Sequence, residues 1–367
     1  MEPSIIKNIA SHFCIDNQNM TDCRPHGSGH INQTFLVTFE ADGKQDKYIF
    51  QKVNTNVFRN PVHLMENISR VLAHSRAKLA GRPDGYRRCM HLVPTRDNKT
   101  FYLTGTGDCW RVFEFVPGAR SYDILETEEQ AYQAAKAFGA FQMLLSDLPG
   151  ERLHETIPNF HNTPSRYADF EKALEANKSG RADLCRPEIE FAKKVSWMAP
   201  VLTDLQAKGE LPERITHNDT KLNNVLLDDV SGEGICVIDL DTVMPGLSLY
   251  DFGDMVRTSV NPAAEDETDL SKIEARTGVF RALVKGYLEG AQGCLTRKEM
   301  ELLPFSGILI TYEIGLRFLT DFLDGDVYFR TSRPNHNLDR CRTQFKLVRS
   351  LMEKEDELKA ITREFMK

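Results

Sequence analysis

The stretch ITHNDTKLNNVLLDDVSGEGICVIDLDT, Ile215 to Thr242, decides how the chain is read. Its first part, His217 to Asn224, spells H-x-D-x-K-x-x-N. Transfer of a phosphoryl group needs a carboxylate to orient the attacking hydroxyl, an amide oxygen on Mg²⁺ and a cation near the moving group. Asp219, Asn224 and Lys221 are those residue types. Asp219 is therefore the candidate base, in contact with the acceptor, Asn224 a candidate metal ligand and Lys221 a nucleotide contact. A five-residue loop extends at most about 17 Å, so a single loop can carry base and ligand. His217 is expected to brace that loop by hydrogen bonds, because the base must reach the hydroxyl and the motif reserves that place for Asp219.

Fifteen residues beyond Asn224 comes Asp239, with a hairpin turn, SGEG at 231–234, between them. Ile235 to Ile238 is an apolar strand that ends in Asp239-Leu240-Asp241. A carboxylate just past a buried strand suits Mg²⁺, which takes one or two carboxylates plus phosphate oxygens. Asp239 is the candidate ligand, and Asp241 is either a second ligand or a support. Asp251-Phe252-Gly253 imitates the D-F-G string of protein kinases but follows no apolar strand. Asp251 is expected to hold loops together instead.

Working outward, the 367 residues carry 46 Lys plus Arg against 53 Asp plus Glu, a formal charge of −7. A net negative chain is a poor general polyanion binder, which disfavours nucleic acid as the main partner. With 41% hydrophobic residues a real core is available, so wholesale disorder is excluded. The eight cysteines include no C-x-x-C pair and are too sparse for a disulfide scaffold, so reduced thiols are expected. MEPSIIKNIASHF has neither the basic start nor the apolar core of a secretory signal. The most apolar stretch, Leu302 to Leu319, is interrupted by Pro304, Glu313 and Arg317. A soluble, cytoplasmic protein without membrane contact is expected, a monomer or weak homodimer.

The first third reads as strands at Thr34–Glu40, Lys47–Val53, Thr100–Thr104 and Cys109–Val116, with a hairpin turn at 41–44. Arg24–Gly29 reads as a Gly-rich turn leading into the first of them. Leu64, Ile68, Val71 and Leu72 mark one face of a helix over Pro61–Leu79. Beyond VPGA at 116–119 the period becomes 3.6, with helices expected at Glu128–Leu145, Glu188–Leu205, Asp269–Glu289, Arg297–Leu323 and Leu338–Leu358. The fold class is α+β. A small β-rich nucleotide-binding lobe spans 1–117, with a hinge at Pro117-Gly118, and a larger, mainly helical catalytic lobe spans 118–367.

Gly27-Ser28-Gly29, just before the first strand, lets backbone N–H groups approach phosphate without Cβ clashes. His30 and Asn32 stand at its tip. On Tyr48–Val53, strand alternation puts Gln51 and Lys52 on opposite faces. Only one of them faces the nucleotide, and the pattern leaves both open. Glu66 is the candidate helical partner for such a Lys. Glu114 and Val116 should offer backbone groups to adenine. On the acceptor side, Glu313, Arg317 and Asp321 form a polar stripe at i, i+4, i+8 in an apolar helix. The stripe is either a salt-bridged face exposed to water or, since buried charge needs partners, the lining of a cavity, with Arg317 facing the acceptor and Tyr328 either in the pocket or in the core.

These strings resemble the aminoglycoside phosphotransferase-like small-molecule kinases, which share the bilobal protein-kinase-like fold. The resemblance runs almost end to end, through IASHF at 9–13, GHIN at 29–32, THNDTKLNN at 216–224, IDLDT at 238–242, LLPFSG at 302–307, and RFL and GDVYF within 317–329. Within the family these strings are similar to the bacterial members that act on N-acetylhexosamines. It implies ATP and Mg²⁺ as cofactors and transfer of the γ-phosphoryl to the anomeric hydroxyl of N-acetylglucosamine or N-acetylgalactosamine. It also implies Asp219 as base, Asn224 and Asp239 as metal ligands, and His30, Arg317 and Tyr328 in the sugar pocket. Asn218 stands where many aminoglycoside kinases have Gly, a departure that argues against drug inactivation. Two rivals remain: a kinase of another acceptor (homoserine, choline, methylthioribose or another hexose), and a catalytically dead kinase-like binding module.

Overall fold

A computed structural model describes residues 3–15, 19–27, 29, 31–41 and 43–366. It divides into two compact units. The first comprises residues 1–123, 147–158 and 226–244, and the second comprises 124–146, 159–225 and 245–367. The first unit thus takes in two later segments, which a single cut at Pro117 does not provide for.

The first unit is built on an antiparallel sheet in the order β1-β2-β3-β5-β4: β1 (Met20–Pro25), β2 (Gln33–Ala41), β3 (Lys44–Val53), β4 (Tyr102–Leu103) and β5 (Cys109–Glu114). The turn expected at Arg24–Gly29 is partly strand, since β1 pairs from Met20↔Phe39 to Pro25↔Phe35. β1 is half exposed at the sheet edge, so it lacks the apolar alternation that would have marked it. One face buries Phe35, Val37, Phe39, Phe50, Trp110 and Val112. Helix α1 (Pro3–Ala10) covers that face with Ile6 and Ile9. Helix α2 (Pro61–Leu79) lies on the other face. Its boundaries match the sequence expectation, because Asn60 caps it and Pro61 takes the first turn, where the missing N–H costs nothing. A short sheet, β6 (Ala119–Arg120), β8 (Val225–Asp228) and β9 (Gly234–Val237), completes the unit, with β7 (Arg214–Thr216) lying in the second.

The second unit is helical: α3 (Glu128–Leu145), α4 (Thr163–Ala176), α5 (Arg186–Lys194), α6 (Val201–Ala207), α7 (Ser248–Ser259), α8 (Thr277–Ala291), α9 (Arg297–Glu301), α10 (Leu303–Asp324), α11 (His336–Glu353) and α12 (Glu355–Phe365). α3 starts where expected, on a capping box of Thr127 and Gln130. Three expected helices are broken. Glu188–Leu205 divides into α5 and α6 at a 3-10 turn before Pro200. Arg297–Leu323 divides ahead of Pro304, which sits in the first turn of α10. Leu338–Leu358 divides at Lys354. Asp269–Glu289 begins later, at Thr277.

α3 and α8 approach closely because the contact runs through glycines. A Cβ on Gly290 would fall 2.1 Å from the Lys136 carbonyl oxygen, and one on Gly139 would fall 2.3 Å from that of Tyr287. All eight cysteines are unpaired thiols, five of them buried. Among the described residues no helix is long and apolar enough to cross a membrane.

Candidate active site

In the second unit, β7 delivers the chain into the loop 217–224. Asn218 adopts φ +64°, a left-handed backbone that Asn and Gly tolerate best. Its side chain bonds back to Thr216, accepting from Oγ1 at 3.0 Å and donating to the carbonyl at 3.2 Å. Asn and Gly are thus alternative answers to one backbone requirement. The departure from Gly at 218 therefore says nothing about the acceptor.

Helix α7 holds the loop through two buried carboxylates. Asp251 accepts from the N–H groups of His217 (3.0 Å) and Asn218 (2.7 Å), and Asp254 accepts from that of Thr220 (2.9 Å). Burial pushes the Asp251 carboxyl up to about 6, against the pull of His217 and its two amide donors. The D-F-G string therefore has a packing explanation at each position. Asp251 ties the loop, Phe252 packs on Phe280 and Tyr287, and Gly253 lets α7 meet α10, where a Cβ would lie 2.5 Å from the Ser306 carbonyl oxygen. His217 is fully buried between the rings of Phe138 and Phe141, and its Nδ1 accepts from the Asp219 N–H at 3.3 Å.

Asp219, Lys221 and Asn224 come together. Lys221 Nζ is 2.7 Å from Asp219 Oδ1, and Asn224 Nδ2 donates to the Asp219 carbonyl (2.7 Å) and to its Oδ2 (3.2 Å). Burial alone would raise the Asp219 carboxyl, but the Lys221 charge and hydrogen bond bring it below the usual carboxylate range. Lys221 is raised in turn, first by Asp219.

A second group lies on α10 and the segments packed on it. Glu313 is fully buried and held by His161 (2.8 Å) and Thr163 (2.6 Å). Asp321 accepts from the N–H groups of Val327, Tyr328 and Phe329. The polar stripe is therefore neither a water-exposed face nor a set of mutual salt bridges. Between the two carboxylates, the Arg317 guanidinium lies 5.3 Å from the Phe160 ring centroid, 5.8 Å from Tyr328 and 5.5 Å from Phe329. Tyr328 is 61% exposed, which corrects the alternative that places it in the core.

In the first unit, Gln51 and Lys52 separate as alternation requires. Lys52 points to the α1 side and pairs with Asp108 at 2.8 Å. Gln51 points to the α2 side, where its Oε1 accepts from Arg111 Nε at 2.9 Å and its Nε2 donates to Thr34. Arg111, 1% exposed, pairs through Nη2 with Asp241 Oδ1 at 2.5 Å, and Asn32 Nδ2 donates to Asp241 Oδ2 at 2.6 Å. Asp241 thus has both oxygens engaged. Arg111 was missed by sequence reasoning, although an Arg inside the apolar run CWRVFE was a visible signal. Glu66 bonds to His154 at 3.0 Å, so it is not a partner of Lys52. The Glu114 N–H is taken, donating to the His91 carbonyl at 2.9 Å. Asp239 follows β9 at φ +59°, a conformation that costs energy for a non-glycine and clusters at functional sites. Gly27 has φ +76°, with no atom within 4 Å of where a Cβ would stand. Ser28 and His30 lie outside the described residues.

Solved structures similar to this chain include aminoglycoside and spectinomycin phosphotransferases and a choline kinase. An aminoglycoside phosphotransferase from Alicyclobacillus acidocaldarius is 14% identical with a TM-score of 0.62, covering 99% of this chain and 96% of its own. A choline kinase from Cryptosporidium parvum is 14% identical with a TM-score of 0.58, covering 100% and 98%. An AMP-bound spectinomycin phosphotransferase is 11% identical with a TM-score of 0.53, covering 92% and 97%. At these identities the likeness establishes the protein-kinase-like fold. The sequence model of the phosphotransferase enzyme family (APH) matches residues 22–289, most of the chain, and with the loop geometry above it places this protein: the chain belongs to the phosphotransferase enzyme family.

Proposed function

We propose that this phosphotransferase uses ATP and Mg²⁺ to phosphorylate the anomeric C1 hydroxyl of an N-acetylhexosamine, giving the α-sugar 1-phosphate. The observation that carries the choice of acceptor is the Arg317 cradle. A choline or an aminoglycoside is cationic and needs free carboxylates or open aromatic faces. Here Glu313 and Asp321 are consumed by protein donors, and a guanidinium already lies over the rings. Arg166 is lowered first by burial and then by the neighbouring Arg317 charge, so a second guanidinium lies close to the cradle. A neutral sugar with hydroxyls and an acetamido oxygen suits donors and exposed ring faces, and Arg317 and Tyr328, with His30, are assigned to bind it.

The donor set fits Mg²⁺, because a carboxylate and an amide oxygen are hard oxygen ligands. Asn224 and Asp239 would hold the ion, and Asp241, engaged by Arg111 and Asn32, would support the turn rather than ligate. When bound, Mg²⁺ would supply positive charge that offsets the negative charge on the phosphates. Asp219 orients the anomeric hydroxyl and takes its proton. That hydroxyl is more acidic than an ordinary alcohol, so an ionised carboxylate of low basicity suffices in a loose transition state. Lys221 keeps Asp219 ionised and is assigned, with Gly27, Ser28, Gly29, Gln51, Glu114 and Val116, to the nucleotide.

ADP release measured against N-acetylglucosamine, N-acetylgalactosamine, glucose, choline, homoserine and an aminoglycoside tests this reading. Turnover confined to the N-acetylhexosamines supports it. Turnover with a cationic acceptor alone contradicts it.

A further inference from the structure

His161 sits on the segment between α3 and α4 and is part of no motif read above. It is 6% exposed, and both ring nitrogens meet acceptors: Nδ1 is 2.8 Å from Glu313 Oε1 and Nε2 is 3.1 Å from the Asn218 carbonyl oxygen. Asn218 is the strained residue directly before Asp219. A carbonyl oxygen only accepts, so Nε2 must carry a proton. Nδ1 then either donates to a Glu313 carboxylate or accepts from a protonated Glu313. The pair stores one proton in either form, and losing it sets a lone pair against a lone pair.

We infer that His161 is a positioning residue, which as part of a one-proton pair with Glu313 holds the Asn218 carbonyl and so fixes the direction in which Asp219 presents its carboxylate. The inference deepens the reading of Asp219 as the base and rests on it. Asp251 holds the N–H groups of His217 and Asn218, while His161 holds the Asn218 carbonyl. The turn is thereby gripped from two sides. Helix α10 also carries Arg317, so the same pair links the acceptor-side helix to the loop.

The groups facing His161 are Glu313 on α10 and Tyr250, Asp251 and Asp254 on α7, while Arg317, one turn along α10, and Arg166 on α4 act on Glu313. Burial alone would lower His161, but Glu313, by charge and hydrogen bond, and then Asp254 raise it above the ordinary histidine value. Glu313 is lowered by His161 and Thr163 despite its burial. The pair therefore holds its proton to higher pH than an exposed histidine does.

The test is a pH titration of ¹⁵N-histidine-labelled full-length protein by NMR, alongside kcat for the accepted sugar from pH 6 to 10. His161 should keep both ring nitrogens protonated to higher pH than exposed histidines, which titrate near about 6.5. kcat should fall on the alkaline side at the same pH as His161. Glu313→Gln should move the NMR titration and the kcat limb together to lower pH, and His161→Gln should remove the limb from a folded enzyme. Titration of His161 together with exposed histidines overturns the inference, and so does a Glu313→Gln enzyme whose NMR titration moves while its kcat limb stays. The NMR arm needs no turnover, so it decides the charge of the pair even if Glu313→Gln fails to fold. An active Asp219→Asn enzyme would instead reject the base assignment, leaving that titration intact.

Discussion

Arg111 Nη2 lies 2.5 Å from Asp241 Oδ1, and neither side chain is more than 4% exposed. This buried pair joins the middle of β5 to the turn that carries Asp239, and Gln51 and Asn32 complete it. Removing one partner of such a pair strands the other charge away from water. Arg111→Met should cost about 3–5 kcal/mol of unfolding free energy, and the double variant Arg111→Met/Asp241→Asn should cost less than the single one. Urea unfolding of the three proteins measures both. A single variant as stable as the wild type would show that the pair contributes nothing.

Asp219→Asn should fold with an unchanged melting profile and lower kcat at least ~100-fold, the loss expected for a positioned general base. Steady-state kinetics with thermal unfolding checks both halves. Near-normal turnover would remove Asp219 from its role.

At Gly290 two local rules oppose each other. Helix propensity favours Ala by about 1 kcal/mol, but the new Cβ would meet the Lys136 carbonyl oxygen at 2.1 Å. Overpacking a helix contact costs about 1–3 kcal/mol, so Gly290→Ala should be destabilising on balance. Denaturant titration gives the sign directly.

Asp251 predicts a pH signature. Its carboxyl rises from the ordinary 3.8 to about 6 on folding, so between those values the native state holds more protons than the unfolded chain. Stability contributed by this group is therefore greatest at acid pH and falls as pH rises from about 4 to about 6, then stays level. Asp251→Asn has no such titration. The stability advantage of wild type over this variant should shrink across that window, as measured by unfolding at pH 4, 5, 6 and 7.

Much of this arrangement was legible before any coordinates. H-x-D-x-K-x-x-N carries its chemistry within eight residues, and the loop is local enough that spacing alone brings Asp219, Lys221 and Asn224 together. α2 and α3 were readable to the residue because Asn60-Pro61 and Thr127 with Gln130 are start signals with a local cause. What was not legible depends on partners distant in sequence. α7 hid behind the D-F-G string because its carboxylates and glycine answer to the loop 217–220 and to Ser306. β1 lacked alternation because it is an edge strand in which no residue is fully buried. Gln51 against Lys52 was undecidable until Arg111 and Asp108 showed which face each residue meets.

The most direct test of the central claim is the phosphorus NMR spectrum of the product formed from ATP and N-acetylglucosamine. The account predicts a new sugar phosphate signal split into a doublet by the single anomeric proton. A signal coupled to a methylene pair, marking phosphate at C6, or no phosphorylated sugar while another alcohol turns over, would contradict it.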